Sequence, residues 1–175
     1  MIKKASVALV FVLSFALAAF AQETCNKVVE KIGGFSYCAP LNWDTLKTEK
    51  EKYTIVFGEK VNGMTPNINI KDEVVKMPLA DYVELSTKNV LDSTKELKVS
   101  SLKVESQSDF ASASMRGFKV VFVSVYNGIT VRSIQYLFSG KGDRKYVVTA
   151  TALNSDKDVL DSVFDKSMKT FQLID

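Results

Sequence analysis

The chain has 175 residues, with 23 Lys and Arg against 20 Asp and Glu, and no histidine. It is 46% hydrophobic and 25% charged, with 8 Gly, 3 Pro and 2 Cys, a composition typical of one globular domain. The lack of histidine excludes Ser-His-Asp and Cys-His catalysis, zinc sites with histidine ligands, and histidine-based pH switches.

Residues 1–21 have the features of a secretory signal peptide. Lys3 and Lys4 form a positive end, residues 5–21 carry no charge, and Ala19-Phe20-Ala21 is the small-x-small pattern of a cleavage site. The alternative is an uncleaved membrane anchor, because 17 uncharged residues reach the short limit of a membrane span. The sequence therefore predicts an exported protein, periplasmic or secreted, whose single domain covers residues 22–175.

Loss of the leader leaves 21 basic and 20 acidic residues, so the remaining chain is close to neutral. A near-neutral chain without a basic stripe gives no electrostatic case for nucleic acid binding. We expect a monomer without a cofactor, and peripheral association with a membrane stays open.

Cys25 and Cys38 both follow the leader. An even cysteine count in an oxidising compartment predicts a disulfide between them. It would close a loop of about 14 residues and contribute about 3 kcal/mol in the chain-entropy model. One alternative is a redox pair, which the spacing does not support. The other is acylation of Cys25, which the polar residues 22–24 disfavour.

Alternating and continuous apolar runs predict the strands, and amphipathic runs predict two helices. Pro78 favours the first turn of one helix, and Ser155 is the predicted N-cap of the other. The predicted strands cover 35–39, 53–57, 67–71, 98–108 with a register break near 100–101, 118–126, 129–138 and 146–153, and the helices cover 79–91 and the segment after 155.

The strongest local signal is the Asn127-Gly128 pair between two strand-like runs, which predicts a type I′ hairpin turn. The run 118–126 is apolar at nearly every position, which predicts a strand covered on both faces. The order of elements predicts an α+β fold, an antiparallel sheet of about six or seven strands with a helix on each face.

Several landmarks recur along this order of elements: Phe35, Tyr37, Pro40 and Trp43, then Ile68 and Ile70, Gly117, Tyr136, Tyr146 to Ala150, and Met168 to Phe171. These landmarks resemble the PsbP-like superfamily, which includes the photosystem II extrinsic protein, Ran-binding Mog proteins and bacterial DcrB-like secreted proteins. The resemblance covers nearly all of the chain after the leader, and it implies an α/β/α sandwich and a role in binding or assembly.

Asp158, Asp161 and Asp165 recur at i, i+3 and i+7 on the last predicted helix. Three carboxylates could hold Ca²⁺ or Mg²⁺, but a solvated helix face is the favoured interpretation, so no metal site is predicted. Asp72 and Glu73 directly follow a predicted strand. Adjacent residues on an extended chain point to opposite faces, so they are expected to be strand-end charges and not an acid/base pair.

Three aromatic residues could contribute either to the core or to a binding surface. Trp43 is expected to fill the core between sheet and helix, with stacking on a ligand as the alternative. Tyr126 and Tyr136 are expected to form cross-strand pairs, with an exposed aromatic patch as the alternative.

The sequence thus favours a non-enzymatic exported module that binds a protein or an envelope component. An alternative is a carrier of a small apolar ligand held between sheet and helix, suggested by the apolar run 118–126. A hydrolase with an unusual Ser-Lys or carboxylate site is the third interpretation, and no motif in the sequence supports it.

Overall fold

The fold is that of a computed structural model, which describes residues 25–94, 96 and 98–175. The leader predicted at residues 1–21 lies outside the described residues, so export and the division of the chain at residue 22 stay predictions. No helix in the described ranges is both long enough and apolar enough to cross a membrane.

The described residues form ten strands and two α-helices. The strands are β1 (Asn26–Glu30), β2 (Phe35–Ala39), β3 (Asp44–Leu46), β4 (Ile55–Phe57), β5 (Asn67–Val74), β6 (Ser101–Ala111), β7 (Arg116–Tyr126), β8 (Ile129–Ser139), β9 (Arg144–Leu153) and β10 (Gln172–Leu173). The helices are α1 (Leu79–Asp92) and α2 (Lys157–Lys169), and a 3₁₀ turn at Asn154–Asp156 leads into α2.

Seven strands form one antiparallel sheet in the order β3-β4-β5-β9-β8-β7-β6, and β1, β2 and β10 form a smaller sheet. The β7-β8 turn has positive φ at Asn127 and Gly128, as the type I′ prediction requires. The predicted α+β class and the predicted β7-β8 hairpin are confirmed.

Strand β7 is buried on both faces, as its apolar run predicts. Val120 and Phe122 point toward α1, where they pack with Tyr82 and Val83. Val121 points to the other face and joins the larger core beneath α2 and the small sheet. A helix therefore covers each face of the large sheet, and one face also carries the small sheet.

An aromatic cluster fills the larger core. Phe171, which directly follows the C-cap of α2, stacks on Phe138 of the large sheet with ring centroids 4.9 Å apart. It also stacks on Phe35 of the small sheet at 5.2 Å. Phe171 thus joins the two sheets at the end of α2.

Two local predictions are wrong. Ser155 does not cap α2, because its hydroxyl donates to the Asp156 carboxylate in the 3₁₀ turn and the helix begins two residues later. The register break lies between Val104 and Ser106 and not near residues 100–101, so Glu105 is the extra residue of a bulge.

Strands β1, β3 and β10 were not predicted from the sequence. Each is short, and none shows the alternation that marks a half-buried strand. In β1 the buried positions are Val28 and a glutamate, Glu30. This burial is favourable because Glu30 accepts hydrogen bonds from the Lys47 ammonium at 2.9 Å and the Thr54 amide at 2.6 Å, which come from distant parts of the chain.

Candidate functional site

The acidic face of α2 is not a solvated row. The Arg132 guanidinium of β8 donates to both carboxylate oxygens of Asp161, through Nε at 2.9 Å and through Nη2 at 2.8 Å. Arg132 also pairs with Glu105, which the bulge of β6 presents to it. The prediction of a solvent-facing carboxylate is therefore wrong for Asp161, because a buried arginine lies opposite it in the sheet.

Asp165, one turn further along α2, has its own partners on the sheet. The Lys119 ammonium of β7 donates to its two oxygens at 2.7 and 2.9 Å, and the Tyr136 hydroxyl of β8 donates to it at 2.6 Å. Burial and this hydrogen bond raise the pKa of Tyr136 well above its ordinary value. The solvated interpretation is wrong for Asp165 also, and its oxygens are occupied by a cation and a phenol.

The predicted carboxylate row thus separates into two environments. Asp161 and Asp165 stabilise the packing of α2 on the sheet, whereas Asp158 is exposed at the beginning of the helix. Within the described ranges, no group of three or more acidic or cysteine side chains is arranged to hold a metal ion.

Asp72 and Glu73 lie on opposite faces of β5. Asp72 pairs with Lys52 and with Arg144, whose Nη1 donates at 2.8 Å. Burial alone would raise the pKa of Asp72, but the hydrogen bond from Lys52 and the charges of Lys52 and Arg144 outweigh it and hold the pKa below its usual value. These two carboxylates form no shared acid/base site.

A disulfide joins Cys25 to Cys38, with their Cα atoms 5.3 Å apart. It ties the start of β1 to β2, and the same part of β2 contacts α2. The Ser167 hydroxyl donates to the Cys38 carbonyl at 2.6 Å, and the Cys38 amide donates to the Thr170 hydroxyl at 2.7 Å. The disulfide therefore lies in the structural joint between the N-terminal hairpin and α2.

Tyr126 and Tyr136 do not form a common patch. Tyr126 is exposed at the β7-β8 turn, opposite Ile129 in the ladder. Tyr136 is fully buried and packs against Phe110 of β6, with ring centroids 4.8 Å apart.

Trp43 lies at the end of the large sheet where β4, β5 and β9 meet. Its ring is perpendicular to that of Phe164 in α2, with centroids 5.8 Å apart. A Cβ at Gly58 would lie 2.7 Å from the Trp43 ring, so this glycine lets the indole rest against the backbone. Trp43 is only half-buried, so the prediction that it fills the core holds for part of the ring alone.

The rest of the indole lines an open cavity of about 510 Å³, which we call the Trp43 pocket. Its walls come from the segment before β3, the loop between β4 and β5, the 3₁₀ turn and the first turn of α2. The lining residues are Trp43, Glu59, Val61, Pro66, Ser155, Asp156, Asp158, Val159 and Leu160.

The lip of the Trp43 pocket is apolar and faces solvent. Val159 is 66% exposed and Val61 is 41% exposed. Val61 is presented by a tight turn in which its amide and carbonyl bond to those of Met64, with positive φ at Asn62 and Gly63. Asn62-Gly63 carries the same sequence signal for a tight turn as the hairpin turn at 127–128.

The charged lining of the Trp43 pocket is entirely acidic. Among the residues that the structure describes, Glu59, Asp156 and Asp158 line it, and no Lys or Arg does. Their neighbours in sequence, Lys60 and Lys157, are exposed and lie outside the lining. The arrangement suits an apolar group that carries a positive charge.

A second cavity, of about 410 Å³, lies between the start of α1, the end of β6 and the start of β7. Leu79, Phe110 and Phe118 line it together with Asp109 and Arg116. This cavity lies between sheet and helix, where the carrier hypothesis would place a small apolar ligand. However, the central residues of the 118–126 run fill the two cores, so packing accounts for their apolarity and the carrier stays a prediction.

Three solved structures share this fold at low sequence identity. Cyanobacterial PsbP (CyanoP) from Synechocystis sp. PCC 6803 aligns with a TM-score of 0.63 and 8% identity, over 84% of this chain and 91% of that one. LpqN, involved in cell envelope biogenesis of Mycobacterium tuberculosis, aligns at 0.59 and 11%, over 89% and 88%.

A protein of unknown function from Pseudomonas aeruginosa, PA94, described as a putative regulator, aligns with a TM-score of 0.52 and 12% identity, over 74% of this chain and 95% of that one. No protein-family model and no curated protein matches the sequence. The chain therefore has the PsbP-like fold that its sequence landmarks indicated.

Proposed function

We propose that this protein is an exported, non-enzymatic module that binds another protein or a component of the cell envelope through the Trp43 pocket. The observation that carries the proposal is the pocket itself. It presents a half-exposed tryptophan and two exposed valines, Val61 and Val159, around an open cavity at one end of the sheet.

Such a surface has the features of a binding hot spot. Tryptophan is enriched among the residues that dominate binding energy, and it acts from partly enclosed pockets. A volume of about 510 Å³ lies in the range of ligand-binding cavities, which are roughly 300 to 1,000 Å³. The indole of Trp43 is positioned by its contacts with Gly58 and Phe164.

The polar side chains elsewhere support binding over catalysis. Three of the five carboxylates that the sequence offers for chemistry, Asp72, Asp161 and Asp165, accept hydrogen bonds from basic side chains in structural positions. A general acid or base needs a proton that can be exchanged with a substrate, and a carboxylate held in such an ion pair does not offer one.

The disulfide and the fold support an extracytoplasmic location. The Cys25–Cys38 bridge suits an oxidising compartment. Of the proteins that share the fold, LpqN is involved in cell envelope biogenesis. The predicted leader at residues 1–21 would bring this chain to such a compartment.

Site-specific photo-crosslinking in the native cells tests the proposal. The full chain carries p-benzoylphenylalanine in place of Val159 at the pocket, or in place of Val74 at the far end of the sheet. Val74 is the matched control because it is also highly exposed, at 73%. We expect a discrete adduct from position 159 that is absent from position 74.

A second substitution ties the adduct to the pocket. Val61→Lys places a charge on the opposite lip and should abolish the adduct at position 159. Equal adducts from positions 159 and 74, or an adduct that survives Val61→Lys, would overturn the proposal.

A further inference from the structure

We infer that the Trp43 pocket recognises an arginine of a partner protein, presented beside an apolar residue in an extended segment. This inference rests on the proposed function and names the chemistry of the partner. It follows from three properties of the pocket: its uncompensated carboxylates, its aromatic wall and its apolar lip.

The carboxylates of the pocket differ from the acidic groups that are buried or half-buried against the two sheets. Glu30, Asp72, Asp161 and Asp165 are each paired with a lysine or an arginine. Among the ion pairs of the described residues, by contrast, none involves the three acidic residues of the pocket. They are Glu59, Asp156 and Asp158. A cationic partner would supply the missing charge.

Two of these acidic residues have a second explanation. Asp156 and Asp158 lie at the beginning of α2, where negative charge is favoured by the helix dipole. Glu59 reaches the pocket from the loop after β4 and is not part of α2, so the formation of that helix does not account for its place in the lining. A substitution at Glu59 therefore tests recognition of the cation without changing a residue at the beginning of α2.

The aromatic wall favours a cation that is weakly hydrated and planar. A guanidinium attracts the face of a tryptophan ring and can also form two parallel hydrogen bonds with a carboxylate. The apolar lip, formed by Val61 and Val159, suits the aliphatic stem of arginine and an adjacent apolar side chain. An arginine next to a leucine matches all three properties.

The protein carries its own reporter for this test, because Trp43 is its single tryptophan. The purified protein is titrated with acetyl-Leu-Arg-Leu-amide while the tryptophan emission is recorded, and the titration is repeated with citrulline or lysine in place of arginine. We expect a saturable change with the arginine peptide. The citrulline peptide should bind about tenfold more weakly, the loss expected for one charge-assisted hydrogen bond.

Matched variants test whether the arginine peptide binds at the Trp43 pocket. Glu59→Gln should weaken the arginine peptide about tenfold and leave the citrulline peptide unchanged. Glu84→Gln, on the exposed side of α1, is the control and should change neither titration. Equal binding of the two peptides, no saturable signal with any of them, or an unchanged affinity in Glu59→Gln would overturn the inference.

The photo-crosslinking experiment and the peptide titration can give negative results independently of each other. If position 159 forms its pocket-dependent adduct but the peptides show no preference for arginine, the docking role stands and the partner chemistry assigned here is wrong. If a second copy of the chain is the cross-linked partner, the arginine assignment is also wrong. If neither experiment gives its expected result, both proposals are wrong.

Discussion

The two helices cover opposite faces of the same sheet, but different chemistry holds them there. Helix α1 packs through Tyr82 and Val83 onto apolar side chains of β7 and β8, with a hydrogen bond from the Tyr82 hydroxyl to Glu73. Helix α2 buries an apolar face through Phe164 and Met168, and it adds ion pairs to the sheet on the same face.

That difference shows what an amphipathic pattern leaves open. The pattern indicates which side of a helix is buried, but carboxylates at the border of that side can point to water or to the sheet. Asp161 and Asp165 turn to the sheet because Arg132 and Lys119 lie opposite them on β8 and β7. The charges come from strands more than twenty residues away, so the helix sequence alone does not reveal them.

The largest expected difference between the helices concerns their apolar anchors. Phe164→Ala should lower the free energy of unfolding by about 4 kcal/mol, because it empties the space beneath α2 and removes a contact of Trp43. Val83→Ala in α1 removes a smaller side chain, also fully buried, and should cost about 2 kcal/mol. Urea unfolding followed by circular dichroism measures both.

The same experiment tests whether α2 is the better-anchored helix. A larger loss for Val83→Ala than for Phe164→Ala would show that the α1 face carries more of the stability. Val159→Ala, at the exposed start of α2, serves as the control and should leave the unfolding midpoint almost unchanged.

The ion pairs should give a smaller effect. Arg132→Met removes the cation shared by Asp161 and Glu105 and should destabilise the fold by about 2 kcal/mol. The side chain of Arg132 is nearly buried, whereas both partners are partly open to water, which limits the penalty of leaving them unpaired. Urea unfolding at neutral pH measures the loss.

A double variant separates the ion pair from packing. Arg132→Met combined with Asp161→Leu should recover much of the stability, because an apolar pair of similar volume replaces the buried ion pair without an uncompensated charge. Lys88→Met, which breaks the exposed Lys88–Asp92 pair of α1, should have no measurable effect. A double variant less stable than Arg132→Met would contradict this account.

Much of the fold is predictable from the sequence because its signals are local. The β7-β8 hairpin follows from Asn127-Gly128 and the alternation around it, and the doubly covered β7 follows from its continuous apolar run. Strands β1 and β10 are not predictable in this way. They are held by distant partners, such as the Glu30 bonds to Lys47 and Thr54.

The candidate site is less predictable than the fold. The sequence marks Trp43 and Asp158 individually, but 115 positions separate them, and only the meeting of β4, β5 and α2 brings them to one pocket. One part of the pocket does have a sequence signal: Asn62-Gly63 indicates a tight turn, and this turn places Val61 at the lip of the pocket. That Glu59 takes part in no ion pair of the described residues can be seen only in the structure, because it depends on which side chains lie around it.

The smallest expected effect belongs to the polar contact of α1. Tyr82→Phe removes the hydrogen bond to Glu73 and should cost about 1 kcal/mol at neutral pH. Burial, together with this bond and the Glu73 charge, raises the pKa of Tyr82 above its ordinary value. Its contribution to stability is therefore complete below pH ~10, where the unfolded tyrosine is neutral, and is lost as the pH rises further.

Unfolding curves of the wild-type protein and Tyr82→Phe across this pH range test whether the stabilisation by Tyr82 decreases as the pH rises. The gap between them should be constant below pH ~10 and then narrow, because only the wild-type chain gains by ionising residue 82 on unfolding. Tyr126→Phe, at an exposed tyrosine, should follow the wild-type curve throughout. If the gap stays constant to high pH, Tyr82 titrates alike in both states, and α1 is held by its apolar face alone, which would widen the contrast with α2.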